Sequence, residues 1–309
     1  MSWQQLHLQC TKDHTELAET LLLEAGAISI SLTDAGDQPL FEPMPNESPL
    51  WDEVIVTALF DSSAFASASE LETLSHTLAD SCHASRVWVS TLADKDWTRE
   101  WMQHYQPIQC AHGLWIVPKW LDAPDPTATN LYLDPGLAFG TGYHATTRLC
   151  LDWLAGQDLT DKIVIDYGCG SGILGVAALV LGAKVVYAVD IDPQAVLASQ
   201  QNARLNGVEE RLQTFLPAAF ATFWQDANQQ ADMITANILA KPLIELAPYF
   251  ATLLKPHGSI VLAGLIENQV EDVRAAYAPF FEVSDDFTFQ NEQDEHWHRL
   301  AGVRRADAD

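Results

Sequence analysis

Cationic side chains are scarce here: sixteen lysines and arginines face 42 aspartates and glutamates over 309 residues, a formal net charge of −26. Gripping a phosphate backbone needs a basic surface, so direct nucleic-acid specificity is not expected. The acidity suits a basic protein partner, and it also serves solubility; charge alone does not separate the two. Cysteine is sparse as well. Cys10, Cys82, Cys110, Cys150 and Cys169 are scattered without a CxxC pair, which argues against a disulfide framework and for free thiols in a reducing compartment. No apolar run suffices for a bilayer, the longest being the twelve residues GILGVAALVLGA. The opening MSWQQLHLQC lacks the basic-then-apolar order of a signal peptide. A soluble, cytoplasmic protein is expected, and its length suggests two domains.

What is present begins with short alternating patterns. WQQLHL and GAISISL alternate apolar and polar positions, and HTELAETLLLEAG between them has helical spacing closed by Gly26. After the proline-rich DQPLFEPMPNESPLW come EVIVTALF, a helical SELETLSHTLADS, and SRVWVSTL. Strand-helix-strand, twice over, predicts a small ferredoxin-like α+β domain at residues 1–92. It holds two basic residues, Lys12 and Arg86, against fourteen acidic ones, a net charge of −12. In DKDWTREWMQHYQP, Trp97, Trp101 and Tyr105 recur at four-residue spacing, one face of a linker helix expected over 93–106 and stopped by Pro107. Such a stripe more often docks on a neighbouring domain than binds a ligand.

From residue 107 to 309 the pattern changes. GLWIVP and NLYLDPG read as strands leading to DPGLAFGTGYHATT and then a helix in TTRLCLDWLAGQ. Beyond Thr160 strand and helix alternate: KIVIDYG then a helix over 171–182, KVVYAVDI then 193–206, RLQTFL then an irregular helical segment, ADMITANI then 240–254, GSIVLAG then 266–278. Strands this apolar are buried on both faces, which predicts a doubly wound, mostly parallel α/β sheet. FEVSDDFTF and HWHRLAGVRR close the chain with no helix between them, so one strand should run against the others.

The chemistry concentrates at the tips of those strands. VIDYGCGSG puts Asp166 at a strand end and Gly168, Gly170 and Gly172 in the turn that opens a helix, where bare backbone can approach a ligand. Asp190 ends the next strand, where a carboxylate can accept both hydroxyls of a ribose. An adenosine-type ligand follows, but its identity does not. GSGILG formally matches the dinucleotide fingerprint of a nicotinamide-dependent dehydrogenase. The acidic residue ahead of the first glycine, the helix-free terminal strands and Asn237 in ANILAKP favour S-adenosyl-L-methionine instead. No lysine follows a glycine loop, so a Walker phosphate site is excluded. Asn237, at the tip of the fourth strand, offers an amide oxygen that can hold an amine and aim its lone pair at a sulfonium methyl. For such an in-line transfer, positioning alone can supply roughly 7–11 kcal/mol. Capping the following helix is its plainer alternative role. His296 and His298 share a strand face beside Asp294 and Glu295, but no third spaced ligand accompanies them, and no metal is expected.

LDPGLAFGTGYHATT, VIDYGCGSGILGVAAL, AVDIDPQAV and ANILAKPL, in this order and spacing, resemble the bacterial ribosomal protein L-eleven methyltransferase (PrmA) family. The resemblance spans essentially the whole chain. It implies a class I S-adenosylmethionine-dependent methyltransferase with a seven-stranded Rossmann-like sheet, trimethylating lysine and N-terminal α-amino groups of that ribosomal protein. It further implies an N-terminal domain that grips the substrate, a repositioning linker, and a monomer. By matching motif, Thr147, Gly168, Gly170, Asp190 and Asn237 correspond to cofactor contacts, with Phe139, Gly140 and Thr141 lying over the cofactor. His144 and Asn237 would lie near the incoming amine, His144 in an orienting role. The chain departs from the family at Tyr143 and Ala145, where Thr-His-Pro-Thr more commonly follows Thr-Gly.

Overall fold

Alternation with a period of two organises the start of the chain. In the computed structural model, which describes residues 2–36, 38, 49–65, 68–93, 105–134, 140–290 and 296–306, the chain divides into two units, residues 1–103 and 104–309. The first runs β1 (Ser2–Thr11), α1 (Thr15–Glu24), β2 (Ser29–Asp34), β3 (Glu53–Asp61), α2 (Ala68–Ser81) and β4 (Arg86–Ala93). Its four strands pair antiparallel in the order β2-β3-β1-β4. Val54, Val56, Ala58 and Phe60 of β3 bury alternate side chains with Leu6 and Leu8 of β1, while Leu22 of α1 and Leu71 and Leu78 of α2 close the same core. Each such buried side chain contributes on the order of 1.5–3 kcal/mol. Trp97 and Trp101 of the expected linker helix lie outside the described residues.

The second unit opens with a small three-stranded sheet, β5 (Ile108–Gln109), β6 (Leu114–Pro118) and β7 (Thr129–Leu133), before α3 (Ala145–Ala155). The main sheet then builds as β8 (Ile163–Tyr167), α4 (Ile173–Val180), β9 (Val185–Val189), α5 (Pro193–Leu205), β10 (Leu212–Phe215), α6 (Pro217–Ala227), β11 (Ala231–Asn237), α7 (Ala240–Leu253), β12 (Leu254–Ile266), α8 (Val270–Tyr277), β13 (Phe281–Gln290) and β14 (His296–Arg304). Its order is β10-β9-β8-β11-β12-β14-β13, parallel except for the two pairings of β14. Two apolar clusters fill it, one including Val164, Val176 and Val186 and the other Ile165, Ile234 and Phe250. Neighbouring residues of β8 thus enter different clusters, which is why its sequence shows no polar face.

Two elements differ from the sequence reading. The segment after β10 is a regular eleven-residue helix, because Pro217 fits the first helical position and Phe220 and Trp224, one turn apart, are buried. The last helix begins at Val270, after a short turn in which the Gln269 side-chain oxygen accepts the Ile266 N–H at 3.1 Å. All five cysteines are buried free thiols, and burial pushes Cys110 and Cys150 up to about 12. Among the described residues no helix is long and apolar enough to cross a membrane.

Candidate functional site

The turn after β8 is shaped by what its glycines lack. Gly168 has φ +78°, and a Cβ there would come within 2.1 Å of Ile238 Cγ2. Ile238 also blocks any side chain at Gly264, whose Cβ would lie 2.4 Å from the Ile238 carbonyl oxygen. The residue after Asn237 is thus wedged between two side-chain-free positions, and the tip of β11 is brought against the glycine turn. The Gly168 and Cys169 N–H groups both donate to the Val189 carbonyl, at 2.7 and 3.1 Å, tying the turn to the end of β9.

Asp190 stands just past that end. One carboxylate oxygen accepts the Gly170 N–H at 2.8 Å and the other the Asp192 N–H at 2.9 Å. Each oxygen retains acceptor capacity, so the group can still take a pair of hydroxyls. Its neighbour Ile191 is 84% exposed, and Leu216 and Leu239, just past the tips of β10 and β11, are exposed as well. Bare apolar side chains beside a carboxylate complement a nucleoside, ring on the aliphatic surface and diol on the acid. The sequence reading missed these three residues. Their signal was an aliphatic residue one or two positions beyond each strand tip.

Asp166 lies deeper and is fully buried. It accepts the Thr235 hydroxyl at 2.9 Å and the Gly175 N–H at 2.8 Å, joining β8, β11 and the start of α4. Burial pushes its carboxyl up to about 6, against the lowering effect of those two hydrogen bonds.

Of the predicted site residues, Thr147 and Asn237 come together across 90 positions of sequence: the Asn237 amide donates to the Thr147 hydroxyl at 3.3 Å, with Thr147 fully buried. His144 is the N-cap of α3, its Nδ1 2.8 Å from the Thr146 hydroxyl, and its ring meets Trp297 edge-on at 4.6 Å. That partner on β14 also escaped the sequence reading. Ala145 begins the helix, a position that suits proline or alanine alike, so the departure there leaves the cap intact. Tyr143 pairs through its hydroxyl with the backbone of Gln106 and stacks edge-on with Tyr105 at 4.7 Å. Gly140 meets the glycine turn, its carbonyl accepting the Ser171 hydroxyl at 2.5 Å, and Thr141 is half-buried nearby in sequence. Phe139 lies outside the described residues. His298 is buried with Nδ1 3.2 Å from the Thr288 hydroxyl, and His296 is exposed.

Known proteins match this chain throughout. The family of ribosomal protein L11 methyltransferases (PrmA) matches residues 2–305. The ribosomal protein L11 methyltransferase of Psychrobacter cryohalolentis is 65% identical over 305 residues, covering 98% of this chain and 99% of that protein. The one from Acinetobacter baylyi is 50% identical over 308 residues, covering all of both. Among solved structures, a ribosomal protein L11 methylase from Lactobacillus delbrueckii subsp. bulgaricus aligns with TM-score 0.56 at 33% identity, over 65% of this chain and 100% of its own. The fold is accordingly a methyltransferase-like α/β fold with mixed sheets. On the strength of these matches, the chain belongs to the ribosomal protein L11 methyltransferase family of S-adenosylmethionine-dependent enzymes.

Proposed function

We propose that this protein methylates ribosomal protein L11 on lysine side-chain and N-terminal α-amino groups, through to the trimethylated state. The observation that carries the reading is the meeting of Asn237 and Thr147 beside the Gly168 turn, where an amine acceptor and an adenosine-type pocket share one edge of a sheet. Family membership supplies the substrate.

When bound, S-adenosylmethionine supplies an electrophilic sulfonium methyl group. The chain's own residues do the rest by placement. Asp190 accepts the ribose hydroxyls, Gly168 and Gly170 let backbone approach the ligand, and Ile191 offers an aliphatic surface to the base. Gly140 and Thr141 are read as covering the pocket. Asn237 has its N–H₂ engaged by Thr147, so its oxygen is the acceptor turned to the amine. A lysine amine, ordinarily near pKa ~10.4, must lose a proton before its lone pair can attack. Orientation of that neutral amine by the Asn237 oxygen, with His144 and Trp297 alongside, is where the chain lowers the barrier.

At the level of architecture we read the seven-stranded sheet as a doubly wound Rossmann-like methyltransferase sheet in a domain over 107–309. The β1-α1-β2-β3-α2-β4 unit is read as a ferredoxin-like substrate-recognition domain over 1–92, with 93–106 as the linker. Its net charge of −12 supports attraction to a basic ribosomal protein, free or on the ribosome. A cytoplasmic monomer fits this role. Incubation with methyl-labelled S-adenosylmethionine and recombinant L11 tests the proposal: label on amino groups is expected, and its absence from them refutes the substrate.

A further inference from the structure

Helix α5 buries two polar side chains beside Ala195 and Ala203 while leaving two leucines outside. Leu197 and Leu205 are 57% and 39% exposed, while Ser199 and Asn202 are buried. A buried polar side chain is costly unless its hydrogen bonds are met, and here the partners are backbone groups around the pocket. Ser199 donates to the Gly170 carbonyl at 3.1 Å. Asn202 accepts the Asp134 N–H at 2.8 Å and donates to the Asp134 carbonyl at 3.3 Å and to the Ser171 carbonyl at 2.8 Å. One turn on, Asn206 accepts the Tyr132 N–H at 2.8 Å and donates to the Tyr132 carbonyl at 2.7 Å. The two amides thus pair with the outer edge of β7 as a neighbouring strand would. Ser171, held by Asn202 through its carbonyl, reaches Gly140 through its hydroxyl at 2.5 Å.

Asp134 and Gly140 flank the stretch that carries Phe139, and both are tied to Ser171 in the cofactor turn, one directly and one through Asn202. We propose that Asn202, acting with Ser171, is a positioning residue that makes cofactor binding and placement of residues 130–134 and 140–144 a single event. This rests on reading the pocket as an S-adenosylmethionine site. Neither residue is assigned a contact with the reacting atoms; they act through the backbone they hold.

Hydrogen exchange in the full-length protein, with and without S-adenosylhomocysteine, tests the coupling. In the wild type the ligand should slow exchange in peptides over both 168–175 and the flanks 130–134 and 140–144. In Asn202→Ala it should slow exchange over 168–175 but no longer over 130–134, and in Ser171→Ala over 168–175 but no longer over 140–144, with the dissociation constant raised about tenfold and KM for the protein acceptor unchanged. A merely structural role would lower the melting temperature and leave the two stretches responding together. Ser171→Ala removes only the hydroxyl tie to Gly140 and leaves Asn202 bonded to Asp134 and to the Ser171 carbonyl. Asn202→Asp keeps the acceptor for the Asp134 N–H and loses the donor to the Ser171 carbonyl, so it decides the Asn202 link even if Asn202→Ala fails to fold. Undiminished slowing over 130–134 in the Asn202 variants or over 140–144 in Ser171→Ala, or none over either flank in the wild type, overturns the inference while the cofactor reading stands. If the wild type responds in neither stretch, the cofactor reading fails and the coupling falls with it.

Discussion

In the first unit the buried core is Leu6, Leu8, Val54, Val56, Phe60 and their apolar neighbours, and among described residues only Thr15 and Ser75 are polar side chains hidden with them. The second unit hides Thr146, Thr147, Asp166, Ser171, Ser199, Asn202 and Thr235, with His298 and Arg299 on β14, and most partners of the first seven are backbone groups at strand tips and turns. Transfer of apolar surface explains a core of the first kind. It opposes the second, since each buried polar group must find its hydrogen bonds or destabilise the fold. Where a protein holds polar groups inside with most of their bonds directed at one rim, that rim is the part whose geometry matters most.

Substitutions can break this contrast. The largest effect is expected at the rim: Asn237→Ala should lower kcat for methyl transfer about 10²–10³-fold, measured by label incorporation into L11, while the melting curve barely moves. Leu8→Ala, in the apolar core of the first unit, should do the reverse. It should cost about 2–5 kcal/mol in denaturant unfolding of that unit and leave calorimetric affinity for S-adenosylhomocysteine unchanged.

Asp166→Asn sharpens the comparison through pH. The carboxyl is held at about 6 when folded against 3.8 for the unperturbed group, so its ionisation opposes folding as pH rises between those values. Asparagine can still accept the Gly175 N–H and donate to Thr235 without charge. Denaturant titrations should therefore find Asp166→Asn more stable than the wild type by about 3 kcal/mol above pH 6, the gain disappearing as pH falls toward 4. The smallest effect belongs to Tyr143→Phe, which loses the hydroxyl pairing with Gln106 and keeps the ring against Tyr105. A loss of about 1 kcal/mol with kcat unchanged is expected in unfolding and turnover measurements.

Much of this was legible in the residues. Alternation of apolar strands and helices after Thr160, and the helix-free pair at the end, announced a largely parallel α/β sheet because burial on both faces leaves a continuous apolar signature. Gly168, Asp190 and Asn237 were readable because each stands at a strand tip, a place that strand spacing alone locates. The inward polar face of α5 was not, since Ser199 and Asn202 find their partners in backbone about 30 and 70 positions away, and backbone carbonyls leave no mark in a sequence. The same holds for Trp297 against His144 and for the wedge of Ile238 between two glycines. Local pattern reports which face is apolar. It does not report which loops a buried amide will join.

Calorimetric titration of the full-length protein with S-adenosylhomocysteine and, separately, with NAD tests the central claim most directly, because the glycine turn is the one feature shared by both cofactor readings. Saturable one-site binding of S-adenosylhomocysteine that is lost in Asp190→Ala, with no heat from NAD, is the result predicted. Tight binding of NAD with none of S-adenosylhomocysteine would contradict it.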